Sequence, residues 1–219
     1  MNNNSKLLLL VLLLQTALLS AQVQVSKEPL HKKVLENKYI RLLDVWIKPG
    51  DTSLFHIHST PSVFLIFTTT TYAAQEKNKD WTTAKVTPGF SWYRSFYKDT
   101  QVHRVANIDT AVFHVTDVEL LSAYKPTVKR DALPFHLLYE NEKVFAYQLT
   151  DSSFTDRRMS ERGPLIMEVV AGEVKYHDIK GCKSTIIKTG DYLYVEPGKE
   201  FSFAAAGKEK ALMVLFEIK

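Results

Sequence analysis

Two histidines separated by one residue are the first feature of this chain that could do chemistry. His56 and His58 end the stretch 50–58, whose second half is predicted to be a β-strand. Alternate residues of a strand point to the same face, so both imidazoles would lie on one wall of a pocket. Neutral imidazole binds divalent transition metals. The pair therefore predicts two ligands of a metal site.

A third candidate ligand is His103, which is followed four residues later by Asn107. Three imidazoles would leave coordination positions of one metal ion open for water or a substrate. The ion would be Fe(II), Mn(II), Ni(II), Zn(II) or Cu(II), and the residue types do not choose among them. The alternative is that His56 and His58 are only polar residues of a strand, with no metal.

Three further residues are candidates for the same pocket. By alternation, His114 shares a face with Val112 and Thr116, so it could line the pocket, contact a ligand histidine or donate a proton; the alternative is an ordinary strand histidine. Asn107 is likewise a candidate for the pocket or for a contact with a ligand histidine. Arg94 could contact an anionic substrate. The remaining histidines outside the closing strand are predicted to lie at the surface: His31, His136 and His177.

Short strands separated by turn signals must position these residues. Pro-Gly pairs at 49–50, 88–89 and 197–198 and other turn residues recur roughly every ten residues, which is typical of an all-β sandwich or barrel. Residues 29–33 are predicted to be a polar lead-in. Strands are predicted at 38–47, 54–58, 63–72, 81–86, 91–97, 101–105, 111–121, 144–150, 165–170, 173–178, 184–188, 192–195, 201–203 and 211–218.

The order of strands and turns in the first half returns in the second, which predicts a tandem duplication. Between the halves, residues 124–134 contain two prolines and several charges, and we interpret them as a linker.

The N-terminus has the layout of a secretory signal peptide. Lys6 precedes the apolar run 7–14, and small residues end the segment at Ala21, so we predict a signal peptide over 1–21 and export to the periplasm or medium. The run is too short to predict a permanent membrane span. Cys182 is the only cysteine, so no internal disulfide can form.

The charge and the motifs of the sequence give no support for several classes of function. A net charge of +4 without a basic stripe gives no support for nucleic-acid binding. Neither a glycine-rich phosphate loop nor a nucleophile elbow is present in the sequence, so nucleotide and serine-hydrolase chemistry are unsupported.

At its histidines the chain resembles the cupin superfamily. The first cupin motif is matched by Gly50, His56 and His58, although its glutamate position falls on Ser62 or Val63. The second motif ends in a histidine and, four residues later, an asparagine.

His103 and Asn107 match that ending, and the resemblance covers about residues 38–121. It implies a jelly-roll barrel with a metal inside. It also implies a second cupin-like barrel whose site is lost, because Phe201 stands at the histidine position of its second motif.

The fold implied is all-β: two tandem cupin-type jelly-roll barrels after a signal peptide. The boundaries are 1–21 for the signal peptide, 22–123 for the metal-binding barrel, 124–134 for the linker and 135–219 for the degenerate barrel. The function implied is a metal-dependent enzyme acting on a small molecule, first a dioxygenase and next a lyase or isomerase. The alternatives are a non-catalytic cupin that binds a small ligand and a purely structural module. Cupins commonly form dimers, so the resemblance also implies a homodimer.

Overall fold

The computed structural model describes residues 23–126 and 131–219. The predicted signal peptide and residues 127–130 of the predicted linker lie outside this range. The described part is nearly all β, as predicted, with two short 3-10 helices at Val25–Lys27 and Asp151–Ser153. In this part of the chain no helix is long and apolar enough to cross a membrane.

The strands fall into two series, one in each half of the chain. The first series is β1 (Val23–Gln24), β2 (His31–Glu36), β3 (Ile40–Ile47), β4 (His56–His58), β5 (Ser62–Ile66), β6 (Thr70–Glu76), β7 (Trp81–Val86), β8 (Ser91–Arg94), β9 (Gln101–Asn107) and β10 (Phe113–Leu120). The second series is β11 (His136–Glu140), β12 (Val144–Thr150), β13 (Leu165–Ala171), β14 (Glu173–Asp178), β15 (Lys183–Lys188), β16 (Tyr192–Val195), β17 (Phe201–Ala206) and β18 (Leu212–Ile218).

These strands form four sheets. Sheet 1 has the order β1-β4-β9-β6-β7 and sheet 2 the order β2-β3-β10-β5-β8. Sheet 3 has the order β11-β12-β18-β13-β16, and sheet 4 the order β15-β14-β17. The first half of the chain therefore builds sheets 1 and 2, and the second half builds sheets 3 and 4.

Three apolar cores hold the sheets together. One lies between sheets 1 and 2 and contains Val45, Ile66 and Phe113. The second joins the two halves, because it contains residues of sheet 2 and of sheet 3. The third lies between sheets 3 and 4. Sheets 2 and 3 are thus covered on both faces, and every residue of β10 is buried.

The two halves repeat the same local hydrogen bonds. The Asn37 side chain accepts bonds from the backbone N–H groups two and three residues later, at 2.8 and 3.1 Å. Asn141 accepts the same two bonds at the same distances. At the other end of each half, Leu120 N–H donates to the Pro61 carbonyl and Ile218 N–H donates to the Pro164 carbonyl. These pairs place β3 and β10 of the first half at the positions of β12 and β18 in the second.

Most predicted strands are present, with three differences. The predicted strand 63–72 is two strands, β5 and β6, which belong to different sheets. The strands β1 and β11 were not predicted. The predicted polar lead-in at 29–33 was wrong, because β2 begins at His31. Since β2 is the edge strand of sheet 2, its exposed lysines give it a polar sequence.

Candidate metal centre

Strand pairing brings the three predicted histidines together. In sheet 1, β4 lies antiparallel to β9, and His56 is directly opposite His103. His58 lies on the same face as His56, two residues along β4. The Nε2 atoms of His56 and His58 are 3.1 Å apart, and those of His58 and His103 are 3.0 Å apart. One possible ligand atom from each of the three histidines lies within 4.8 Å of the other two.

A backbone carbonyl orients one of these imidazoles, and a carboxylate lies close to another. The Nδ1–H group of His56 donates to the Leu54 carbonyl at 2.9 Å, because a carbonyl oxygen can only accept. This bond leaves the Nε2 lone pair of His56 free to bind a metal. The Nδ1 atom of His58 lies 3.4 Å from Oδ2 of Asp117. A carboxylate behind a ligand histidine is a common partner in metal sites.

The surroundings keep two of these histidines, His56 and His103, neutral. Burial lowers the pKa of His56 to about 3, with further lowering from the neighbouring His31 and His58. Burial likewise lowers the pKa of His103 to about 2, again with contributions from the other histidines. Both side chains are therefore uncharged near neutral pH, which is the form that binds a metal. Three converging imidazole nitrogens fit a divalent transition metal.

A small cavity lies against the histidines. Its volume is about 70 Å³. From the space that one buried water needs, this is room for roughly five non-hydrogen atoms. The walls are mostly apolar, with residues of sheets 1 and 2 on opposite sides. They are His31, Val45, Ile47, His56, His58, Phe64, Tyr72, Trp92, His103, Val105, Phe113, Val115 and Asp117.

Asp117 is a member of this site that the sequence did not reveal. It is 1% exposed and lies on β10, opposite Phe64 of β5. Within residues 23–126 and 131–219, no group donates a hydrogen bond to either of its carboxylate oxygens. A buried carboxylate without partners is unfavourable unless something else satisfies it. Asp117 therefore has spare capacity to accept hydrogen bonds at the cavity wall.

His31 was predicted to lie at the surface, and this was wrong. It is buried, lines the cavity, and its ring centroid lies 4.5 Å from that of His56. Its Nδ1 atom is 2.6 Å from Oε2 of Glu28. Burial tends to raise the pKa of Glu28, but hydrogen bonds from His31 and from backbone N–H groups outweigh this and lower it. Glu28 is thus a carboxylate that orients a fourth imidazole at the cavity.

His114 lies outside the cavity, so it is not the pocket residue that the first of its two interpretations predicted. Its ring is stacked between Trp46 and Phe67, with centroid distances of 3.7 and 4.4 Å. Its Nε2 atom lies 2.8 Å from Oδ1 of Asp44. Because β10 is buried on both faces, alternation could group its residues but could not say which group faces the cavity. The other group, which includes Asp117, faces it.

The other two predicted pocket residues also lie elsewhere. The Asn107 side chain donates to the carbonyls of Ile47 and Ala111, each at 2.8 Å, and so fixes a turn. Arg94 is exposed, and its guanidinium donates to Gln101 at 2.9 Å. Neither residue lines the cavity.

Comparison with known proteins identifies the fold. No protein-family model matches the chain, and no curated protein matches it in sequence. Solved structures do match along most of its length. A cupin 2 conserved barrel domain protein from Leptotrichia buccalis has a TM-score of 0.56 at 12% identity, covering 93% of this chain and 94% of that one.

Two enzymes match in the same way. Oxalate decarboxylase from Bacillus subtilis, described with Mn(II) centres, has a TM-score of 0.53 at 10% identity, covering 83% of this chain and 69% of that one. A mutant of the salicylate 1,2-dioxygenase from Pseudoaminobacter salicylatoxidans has a TM-score of 0.56 at 10% identity, covering 82% and 71%. The fold of this chain is therefore the cupin fold.

Proposed function

We propose that this protein is a metal-dependent enzyme that binds one divalent transition metal through His56, His58 and His103 and acts on a small molecule. The observation that carries this proposal is the convergence of three imidazoles at one cavity. The metal would be Fe, Mn, Ni, Zn or Cu. When bound, it would supply a Lewis acid with coordination positions open to an oxygen-bearing ligand.

The polar groups around the metal ligands favour an enzyme over a binding protein. A protein that only stores a ligand needs shape and a few contacts, whereas catalysis needs groups that hold or move a proton beside the metal. Asp117 and the Glu28–His31 pair are such groups, and both lie at the cavity. Dioxygenation is the first reaction to test, and lyase or isomerase chemistry is the next. Solved structures of a decarboxylase and of a dioxygenase with the same fold support testing both.

The proposal also includes the division of the chain into domains. Residues 22–123 would be a cupin barrel with the metal, 124–134 a linker and 135–219 a second barrel without a metal. The repeated hydrogen bonds of the two halves support a tandem arrangement. Export after removal of residues 1–21 and homodimer formation are further parts of the proposal. N-terminal sequencing of the exported chain and light scattering would test them.

Metal content tests the proposed function. The mature chain, produced without a histidine tag, is analysed by inductively coupled plasma mass spectrometry beside a His56→Ala/His58→Ala variant. We expect about one equivalent of a transition metal in the parent and none in the variant. An exposed histidine gives a matched control, so a His136→Ala chain should keep the parent's metal.

A parent chain that holds no metal would contradict the proposal, provided that reconstitution with Fe(II), Mn(II), Ni(II), Cu(II) and Zn(II) also fails. A variant that keeps its full equivalent would place the metal elsewhere. If the parent holds metal, its identity decides the assays. Oxygen consumption is measured first for Fe, Mn, Ni or Cu, and lyase or isomerase substrates are screened first for Zn.

A further inference from the structure

The described cavity wall lacks the basic side chains that usually bind an anionic substrate. Among the described residues, no lysine or arginine lines the cavity. His56 and His103 are neutral imidazoles, so they add no positive charge. Asp117 adds a negative one. An anion in this cavity would thus meet no lysine or arginine of the described residues and would have a buried carboxylate as its neighbour.

The hydrogen-bonding capacity of Asp117 points the same way. A carboxylate can accept about four hydrogen bonds, and neither oxygen of Asp117 receives one from the described residues. His58 Nδ1 lies 3.4 Å from Oδ2 but forms no hydrogen bond with it, so both oxygens are without a donor among the described residues. The side chain is 1% exposed, so bulk water does not replace the missing donor. A molecule that brings an O–H or N–H group into the cavity would supply it.

We propose that the cavity selects a small uncharged molecule that has both an oxygen ligand for the metal and a hydrogen-bond donor for Asp117. This proposal rests on the proposed metal site, because the oxygen would bind the metal. Space sets the size: the cavity holds roughly five non-hydrogen atoms beside Phe64, Trp92 and Phe113. Asp117 is then a residue that determines specificity against carboxylate substrates, since like charges brought together away from water repel strongly.

Glycolamide and glycolate form a matched pair of probes. Each has five non-hydrogen atoms, a hydroxyl and a carbonyl oxygen, but only glycolate is an anion. In free solution the carboxylate is the better ligand for a divalent metal, because opposite charges attract. A preference for glycolamide would therefore come from the cavity. Binding of each probe to the Zn(II)-loaded chain is measured by isothermal titration calorimetry at millimolar concentration.

We expect the parent to bind glycolamide more tightly than glycolate. In an Asp117→Asn variant, which keeps the shape but removes the charge, the ratio of the two Kd values should shift toward glycolate by about tenfold or more. Asp80 is an exposed turn residue, so Asp80→Asn should leave the ratio unchanged. Circular dichroism and zinc content check that each variant is folded and loaded.

The outcomes separate this inference from the proposed function. A parent that takes up no metal contradicts the metal site itself. A loaded parent that binds glycolate more tightly, or that binds neither probe, overturns the selection of uncharged molecules and leaves the metal site intact. An unchanged ratio in Asp117→Asn removes Asp117 from the explanation. If that variant does not fold, the order of the two probes in the parent decides alone.

Discussion

The two halves of the molecule use one backbone plan for different interiors. In the first half, His56 lies opposite His103 at the cavity. In the second half, Met159 forms the equivalent bridge to Phe201, and the bridge between Thr155 and Ala204 repeats that between Thr52 and Ala106. Met159 and Phe201 are both buried in the core between sheets 3 and 4. A thioether and a phenyl ring therefore occupy the positions of two imidazoles.

The same exchange occurs at Asp117. Counting back from the equivalent bonds at Leu120 and Ile218, Asp117 corresponds to Leu215, which belongs to the apolar core of the second half. This difference shows that the arrangement of the strands alone does not create a metal site. Inward-facing residues decide whether a half is a solid core or a polar cavity, and the apolar version is the simpler one to stabilise.

The largest expected effect comes from giving the first half the residues of the second. A His56→Met/His103→Phe variant should lose metal binding by more than about 10³-fold, because two of three ligands are gone. It should still fold, since both side chains fit this plan in the second half. Metal titration and circular dichroism measure the two properties. A variant that binds metal like the parent would break the comparison.

The next effect concerns the core of the second half. Phe201→Ala should lower the free energy of unfolding by about 3–5 kcal/mol, because it leaves a cavity in a packed apolar core. Urea denaturation measures it. Metal content should be the same as in the parent, since the change lies in the other half. Loss of the metal without loss of stability would show that the second half holds the site.

A pH effect is expected at the contact between the halves. Glu168 is fully buried, and the Thr116 hydroxyl donates to it at 2.6 Å. Burial raises its pKa to about 8, from 4.5. Between these values the folded chain holds a proton that the unfolded chain has released, so stability falls as pH rises, by at most about 1.4 kcal/mol per unit.

Glu168→Gln removes this dependence. Near pH 8 the variant should be more stable than the parent by at most about 4–5 kcal/mol, and the gain should vanish below pH 4.5. Urea denaturation across this pH range measures the difference. A gain that is the same at every pH would mean that Glu168 does not titrate in this way.

The smallest expected effect tests whether an asparagine found at equivalent positions of the two halves contributes equally to stability. Asn37→Ala and Asn141→Ala each remove two hydrogen bonds to backbone N–H groups. Each should lower the free energy of unfolding by about 1–2 kcal/mol, and by similar amounts. A large cost at one position and none at the other would show that the equivalence is only geometrical.

Much of the fold could be predicted from local signals. Strand alternation and turn residues predicted most strands of both halves and placed His56 and His58 on one face, and the resemblance to the cupin motifs added His103 to the cluster. The position of Phe201 at the place of a histidine also agrees with the structure. Alternation and turn signals are short-range and can be read from the sequence directly, whereas His103 and Phe201 were assigned through the motifs of the family.

The rest depended on contacts between distant strands. β10 is buried on both faces, so its sequence has no polar side to reveal which residues face the cavity, and His114 was considered where Asp117 lies. His31 was missed because it belongs to an edge strand with exposed lysines. Only the order of strands in sheet 2 brings these residues to the site.

X-ray absorption spectroscopy at the edge of the bound metal tests the central claim most directly, because it reports the ligand atoms themselves. We predict a first shell with three imidazole nitrogens and one or more oxygen ligands in the remaining positions, with metal–nitrogen distances near 2.0–2.1 Å if the metal is zinc. The scattering pattern of imidazole rings should be lost in the His56→Met/His103→Phe variant. A first shell without imidazole scattering in the parent would contradict the three-histidine site.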